Sequence, residues 1–263
     1  MFILLLVLAG VGTTLANAPS LDSLGVAFHP TNLKVIWVAP TNDWPATLWT
    51  YRVLPAEFSP AVISNLMEIG SFAEGDRTQR TANPPFNDPR SIRFQSADQG
   101  RELGIFPKLG WVYYSDRNAD LSQVSEGVPK DEADTLKRAI ELLSKLGVDP
   151  SELARKPRTS EFDAYYSKKT TVLYKGLGQP AYATNVTMRG VMISRSIDGV
   201  KFLGKGARDG CWIDFGNAGK VSQLKLLWRN LEPEELCSVV SPRRIQAWIR
   251  EGKAVLEPPP GQD

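Results

Sequence analysis

Any reaction carried out by this chain must be built from a small supply of reactive side chains. The 263 residues include one histidine, His29, and two cysteines, Cys211 and Cys237. A histidine-dependent nucleophile needs its imidazole beside a serine or cysteine and an acid, and the sequence has no Gly-x-Ser-x-Gly elbow to present the serine. His29, directly before Pro30, reads as a loop histidine. Two thiols and one imidazole without motif spacing cannot furnish the four clustered ligands of an ordinary zinc site. No metal and no cofactor is therefore expected.

Carboxylates are the remaining chemistry. A pair of them flanking a sugar could hydrolyse a glycosidic bond, and Glu161, Asp163 and Asp214 are the acids nearest to aromatic residues. Trp111, Tyr113 and Tyr114, or Tyr165 and Tyr166, could stack on sugar rings, although such residues more often build strands and cores. Asp214 alternates with Ile213 and Phe215 in "CWIDF", so it is expected to point away from the core as a solvated acid. The loop "GKGARDG" from Gly204 to Gly210 lacks Walker spacing and does not open a helix, so its amides would not converge on a phosphate. It reads as a hairpin connection, with Lys201, Lys205, Arg208 and Lys220 as solvated turn charges. Asn185-Val186-Thr187 matches a glycosylation sequon that has meaning only in a eukaryotic secretory setting.

The totals point to a folded protein and away from two partner classes. Hydrophobic residues make up 42% and charged residues 23%, which argues against wholesale disorder. A net charge of +2 gives no footprint for nucleic acid or for a membrane surface. Phe2 to Val11 is an uncharged apolar run followed by Ala16-Asn17-Ala18, a small-x-small site of the type signal peptidase cuts. The run falls short of the ~20 apolar residues a membrane-spanning helix needs. A signal peptide over residues 1–18 is expected, with the mature chain starting at Pro19 and membrane attachment only through an uncleaved N-terminus. The destination is then secreted or periplasmic, where Cys211 and Cys237 could pair and stabilise the fold by roughly 3.5 kcal/mol. Two separate buried thiols are the other reading.

Local signals set out the elements that must carry these residues. Ser59-Pro60, Asp149-Pro150 and Ser241-Pro242 each place a capping oxygen before a proline at the first helical position. The first leads into a helix stopped at Gly70, the second into a turn or two, and the third into a helix with an Ile245, Trp248, Ile249 stripe. Asp131 caps a longer helix in which Ala133, Leu136, Ile140, Leu143 and Leu146 recur at helical spacing before Gly147. Strands are expected at "LKVIWVAP", "LWTYRVLP", "SIRFQSA", "WVYYSD", "VMISRSI", "CWIDF", "VSQLKLLW" and "EELCSVV", most of them with period-two alternation. Asp198-Gly199 and Gly216-Asn217-Ala218-Gly219 are turn chemistry. Residues 74–89 and 155–179 read as long loops, with a short strand at Thr171 to Tyr174, and "EPPPGQD" as an extended tail.

The predicted fold class is α+β, with antiparallel sheets each packed against one or two helices in two related lobes, 19–125 and 126–263. The second lobe carries a resemblance. Its amphipathic helix ends in Leu146-Gly147-Val148, a strand with Asp198-Gly199 follows, and then "WIDFGNAGKVSQLKLLW". This pattern resembles the PepSY-like repeat and is similar to extracytoplasmic regulators of two-component sensor kinases. The sequence departs from that pattern by its insert at 155–179 and by Cys211. The resemblance implies a non-catalytic module that binds a protein or peptide outside the cytoplasm. Arg195, Lys201, Trp212 and Asp214 are its expected binding residues, on an exposed face. The alternative is a carboxylate-dependent glycan hydrolase of the cell envelope.

Overall fold

A computed structural model describes residues 45–78, 88–121, 126–174, 181–202 and 209–251. The signal segment, His29, "LKVIWVAP", Lys205, Arg208 and the "EPPPGQD" tail lie outside the described residues. The fold is α+β. It divides into a unit over Val53–Leu231 and a second unit from the described residues before Val53 and after Leu231.

The larger unit is organised by an antiparallel seven-stranded sheet. Its strands are β2 (Ile92–Gln95), β3 (Arg101–Phe106), β4 (Trp111–Asp116), β5 (Ala164–Tyr174), β6 (Ala181–Ser194), β9 (Gly210–Phe215) and β10 (Val221–Leu227). They lie in the order β2-β3-β4-β10-β9-β6-β5. This order corrects the expected boundary at residue 125, because β4 pairs with β10 through Tyr114↔Leu224 and Val112↔Leu226. Either half alone would leave hydrophobic strands with open edges, and pairing them in one sheet removes that exposure.

Two helices cover one face of the sheet. Helix α1 (Pro60–Gly70) lies on β3 and α3 (Glu132–Lys145) on β6. Leu66, Ala139 and Leu143 from the helices are buried among Leu103, Ile105, Val112, Ile213 and Leu224 from the strands. Both caps form as the sequence predicts. The Val62 N–H donates to Ser59 Oγ at 3.3 Å, and the Asp134 N–H donates to Asp131 Oδ1 at 2.8 Å. The end of α1 differs from expectation. Ser71, not Gly70, takes the left-handed conformation at φ 50°, and Gly70 is needed for close approach, since a Cβ there would lie 2.1 Å from the Phe72 ring.

Strand β3 lies outside the expected strands, and β5 revises most of an expected loop. In β3, Leu103 and Ile105 alternate with Glu102 and Gly104, and the glycine lets the Tyr113 ring of β4 lie across it, 2.4 Å from where a Cβ would sit. Strand β5 contains the short strand expected at Thr171 to Tyr174 and begins seven residues earlier, in the stretch expected to be loop. It is the outermost strand, so little of it needs to be apolar. A short helix α2 (Arg117–Leu121) follows β4, and β7 (Ser196–Ile197) and β8 (Val200–Lys201) form a hairpin. Its two-residue turn has φ 51° at Asp198 and φ 75° at Gly199, the positive pair that a type I′ turn requires.

In the smaller unit β1 (Thr47–Leu54) and β11 (Asn230–Ser238) form a two-stranded sheet, and α4 (Pro242–Arg250) follows. Thr50 Oγ1 donates to the Glu235 carbonyl at 3.2 Å, and Arg52 pairs with Glu232 at 2.9 Å with both side chains about half exposed.

Candidate functional site

Strand parity sorts the expected site residues onto two faces and one end of the large sheet. On β9, Cys211, Ile213 and Phe215 enter the core under the helices, so Trp212 and Asp214 turn to the second face. Cross-strand register extends each into a row. Trp212 lies between Met192 and Lys225, with Tyr165 beyond Met192 and Tyr113 beyond Lys225. Tyr165 is 52% exposed and Trp212 38%. Beside Tyr113 the rings of Phe106 and Trp111 stack at 5.2 Å between centroids, and the Arg93 guanidinium lies 5.1 Å from the Phe106 centroid. The face therefore presents a row of aromatic side chains interrupted by Met192 and Lys225.

Asp214 corrects the expectation of a solvated acid. It sits on the predicted face but is buried. A Cβ on its cross-strand neighbour Gly190 would lie 1.8 Å from Asp214 Oδ1. The carboxylate thus fills the space that the glycine leaves, and Ser167 Oγ donates to it at 3.4 Å. Sequence alone could have flagged this: Gly190 inside "TMRGVMIS" marks a close approach in a strand.

Lys201 and Tyr165 come together. The Lys201 ammonium lies 2.7 Å from Asp163 Oδ2 and 5.5 Å from the Tyr165 ring centroid. Lys201 is therefore part of the rim beside the aromatic row, held by a carboxylate rather than extended into solvent. Tyr165, read from sequence mainly as a strand former, is the most exposed aromatic of the row.

Arg195 is the clearest correction, for it is not at an exposed face. Its side chain is 7% exposed and anchors a buried ionic cluster at the end of β6. Nε donates to Glu152 Oε2 at 2.8 Å, and Nη1 donates to the Arg229 carbonyl at 2.6 Å. The guanidinium lies 4.8 Å from the Trp228 ring centroid, and Trp228 Nε1 donates to the same Glu152 oxygen at 3.0 Å. Arg229 Nε donates to Asp209 Oδ1 at 2.9 Å, reinforced by its Nη2. Asp209 is wholly buried. Its Oδ2 receives no hydrogen bond and lies 3.8 Å from Arg195 Nη1. Burial pushes the Asp209 carboxyl above its ordinary range against the pull of Arg229 and Arg195. A signal for this was present in the sequence: Arg195 keeps step with Val191 and Ile193, and an arginine in the apolar phase calls for a buried acid.

Among the described residues, each acid named from sequence is tied to a neighbour: Asp163 to Lys201, Asp214 to Ser167 and Glu161 to Lys156. Lys156 bonds Glu161 at 2.8 Å and holds its carboxyl below the usual range, the opposite of what a general acid requires. On the second face, Glu102 and Asp214 share a row but are separated by Ser115 and Gln223. Three strand spacings put them about 14 Å apart at the backbone, beyond the ~5–10 Å of glycosidase pairs. Among the described residues no three histidine, cysteine, aspartate or glutamate side chains group as a metal set. Cys211 and Cys237 are free thiols, Cys211 buried and Cys237 half-buried, the separate-thiol alternative rather than the pair. Their strands, β9 and β11, belong to different units.

Comparison with known proteins yields no family. No family model matches the chain, and no curated protein matches it. A crystal structure of an uncharacterized protein from Eubacterium rectale ATCC 33656 is similar at 9% identity with a TM-score of 0.48, covering 79% of this chain. The chain spans 66% of that protein's length.

Proposed function

We propose that this is an exported, non-catalytic binding protein, akin to the PepSY-like regulators, that recognises a protein or peptide partner. The observation that carries this reading is the outer position of β5, an eleven-residue strand ending the seven-stranded sheet, next to the exposed rings of Tyr165 and Trp212. An extended partner can add to such an edge, with main-chain hydrogen bonds supplying affinity and pockets for alternate side chains supplying selectivity. Exposed aromatic side chains beside the edge add contact area at low entropic cost.

The test is site-directed photo-cross-linking of the mature protein in envelope extract. A cross-linker replacing Tyr165 or Trp212 is expected to trap a defined partner that one placed at Glu141, on the exposed side of α3, does not. Adducts that are the same from all three positions would overturn the reading. Export is tested separately by mass: a secreted chain retaining Met1 would refute cleavage after Ala18.

A further inference from the structure

Going beyond the peptide reading and away from the β5 edge, we infer that the second face of the large sheet binds a linear β-linked glycan bearing uronate groups. Cross-strand register draws one unbroken row over the sheet, from Tyr165 through Met192, Trp212, Lys225 and Tyr113 to Gly104 and Arg93. All of it lies within the unit Val53–Leu231. From β5 to β4 an aromatic ring stands on every second strand, so successive rings are two strand spacings apart, about 10 Å. Each sugar of an extended β-linked chain advances by about one such spacing and turns over, so every second sugar returns the same face at the interval of the rings. The C–H bonds of that face meet the negative face of an aromatic ring. Tyr165 and Trp212 are exposed. Tyr113 is held in place by its hydroxyl, which donates to Glu102, and by the Phe106 ring at 6.0 Å.

A second row on the same face supplies what sugar hydroxyls need. Two residues along each strand, Ser167, Asp214, Gln223, Ser115, Glu102 and Gln95 run parallel to the rings. Asp214 is buried against Ser167, and Glu102 accepts from Tyr113, so the hydroxyls and amides carry the donors and acceptors of this row. Charge narrows the class. The row of rings contains Lys225 and Arg93 and no acid. Lys225 is exposed and stands between Trp212 and Tyr113, so the sugar bridging these two rings lies over an ammonium, where a carboxylate is favoured. A peptide suits this row poorly. It would cross strands whose amides are paired within the sheet, and its own amides would find no backbone partner. The sheet twist turns successive rings by about 40–50°, which the rotatable linkages of a soluble chain follow and a flat crystalline polymer does not.

The experiment titrates the full mature chain by calorimetry with cello-oligosaccharides and with the same oligomers oxidised at their primary alcohols to uronates. Affinity is expected to rise from the trimer, which spans Tyr165 to Trp212, to the pentamer, which reaches Tyr113, and then to level off. At low salt the uronate pentamer should bind about threefold more tightly than the neutral one, the scale of one exposed ion pair. Lys225→Ala should remove that difference. Trp212→Ala should weaken both pentamers about tenfold while the protein keeps its circular dichroism, and Tyr165→Ala should remove the gain from trimer to pentamer. Equal affinity for the two pentamers would overturn the acidic class. Failure of both to bind, binding untouched by Trp212→Ala, or affinity independent of length would overturn the inference altogether. The partner-binding reading is judged separately, because cross-linking at Tyr165 and Trp212 reads protein adducts. Such adducts without sugar binding would assign the face to protein and overturn the glycan.

Discussion

Replacing Arg195 with methionine separates an interior strut from a binding residue. The substitution keeps a long side chain against Trp228 but removes the guanidinium that reaches Glu152, the Arg229 carbonyl and the vicinity of Asp209. The Glu152 side chain is 37% exposed, so water replaces that bond at a cost of about 1 kcal/mol or less. The Arg229 carbonyl loses its charged donor, a loss of about 1–3 kcal/mol. Asp209, with 0% exposure, is left with Arg229 alone in a site where losing one partner of a buried pair costs about 3–5 kcal/mol when the break is complete. Because Arg229 remains, the sum is about 3–5 kcal/mol overall. In urea, at a slope of roughly 2 kcal/mol per molar, the unfolding midpoint should fall by about 2 M with the slope unchanged. Lysine at this position should not rescue, because one ammonium cannot span three acceptors in the planar fork that arginine provides. A loss under about 1 kcal/mol would refute the buried strut and return Arg195 to the exposed role expected from sequence.

Thiol labelling should discriminate the cysteines: burial pushes Cys211 from 9.0 up to about 12, which lowers its thiolate population about a thousandfold. In the native protein a maleimide should therefore modify Cys237 and reach Cys211 only on unfolding, as read by mass spectrometry. Gly190→Ala would force Asp214 and Ser167 aside, since the new Cβ would lie 1.8 Å and 2.5 Å from their oxygens; a loss of about 1–3 kcal/mol is expected, largely restored in Gly190→Ala/Asp214→Ala by thermal melting. Asp209 takes up a proton more readily folded than unfolded, so its contribution is complete below about pH 3.8 and is lost as pH rises through its raised folded value. The stability difference between wild type and Asp209→Asn should thus decline with pH across that window, and a difference that rises would refute the buried charge. Asp131→Ala, which leaves the Asp134 N–H without its acceptor, should cost about 1 kcal/mol in a urea titration.

What could be read from sequence was local. Ser59, Asp131 and Asp149 announce helix starts because a capping bond spans only two or three residues. The Asp198-Gly199 turn is equally self-contained. Strand β3 escaped because Gly104 interrupts its pattern, and the reason for that glycine is a tyrosine on another strand. The first seven residues of β5 escaped because an outer strand buries little, so polarity resembles loop composition. The lobe boundary failed for a related reason: nothing near residue 125 reveals that β10 returns from a hundred residues on to pair with β4. The site residues divide in the same manner. Trp212 was placed by parity alone, whereas the burial of Asp214 and Arg195 depends on Gly190, Asp209 and Arg229, partners that parity cannot supply.

The buried ions also bear on how the binding face is held. Asp209 immediately precedes β9 and Arg195 immediately follows β6, and these two strands pair through Ser194↔Gly210 up to Arg189↔Phe215. The Arg195 N–H donates to the Asp209 carbonyl at 2.9 Å, so the ionic cluster sits at the first rung of this ladder. A slip of one residue would turn Trp212 into the core and Cys211 out to water, since every side chain changes face. It would also withdraw Asp209 from Arg229 and leave a carboxylate in the interior without its cation. Apolar residues of similar volume could match the stability of such a cluster, but they would tolerate the slipped pairing far better. The charges thus select one register. That register sets Tyr165, Met192 and Trp212 in a row beside the β5 edge.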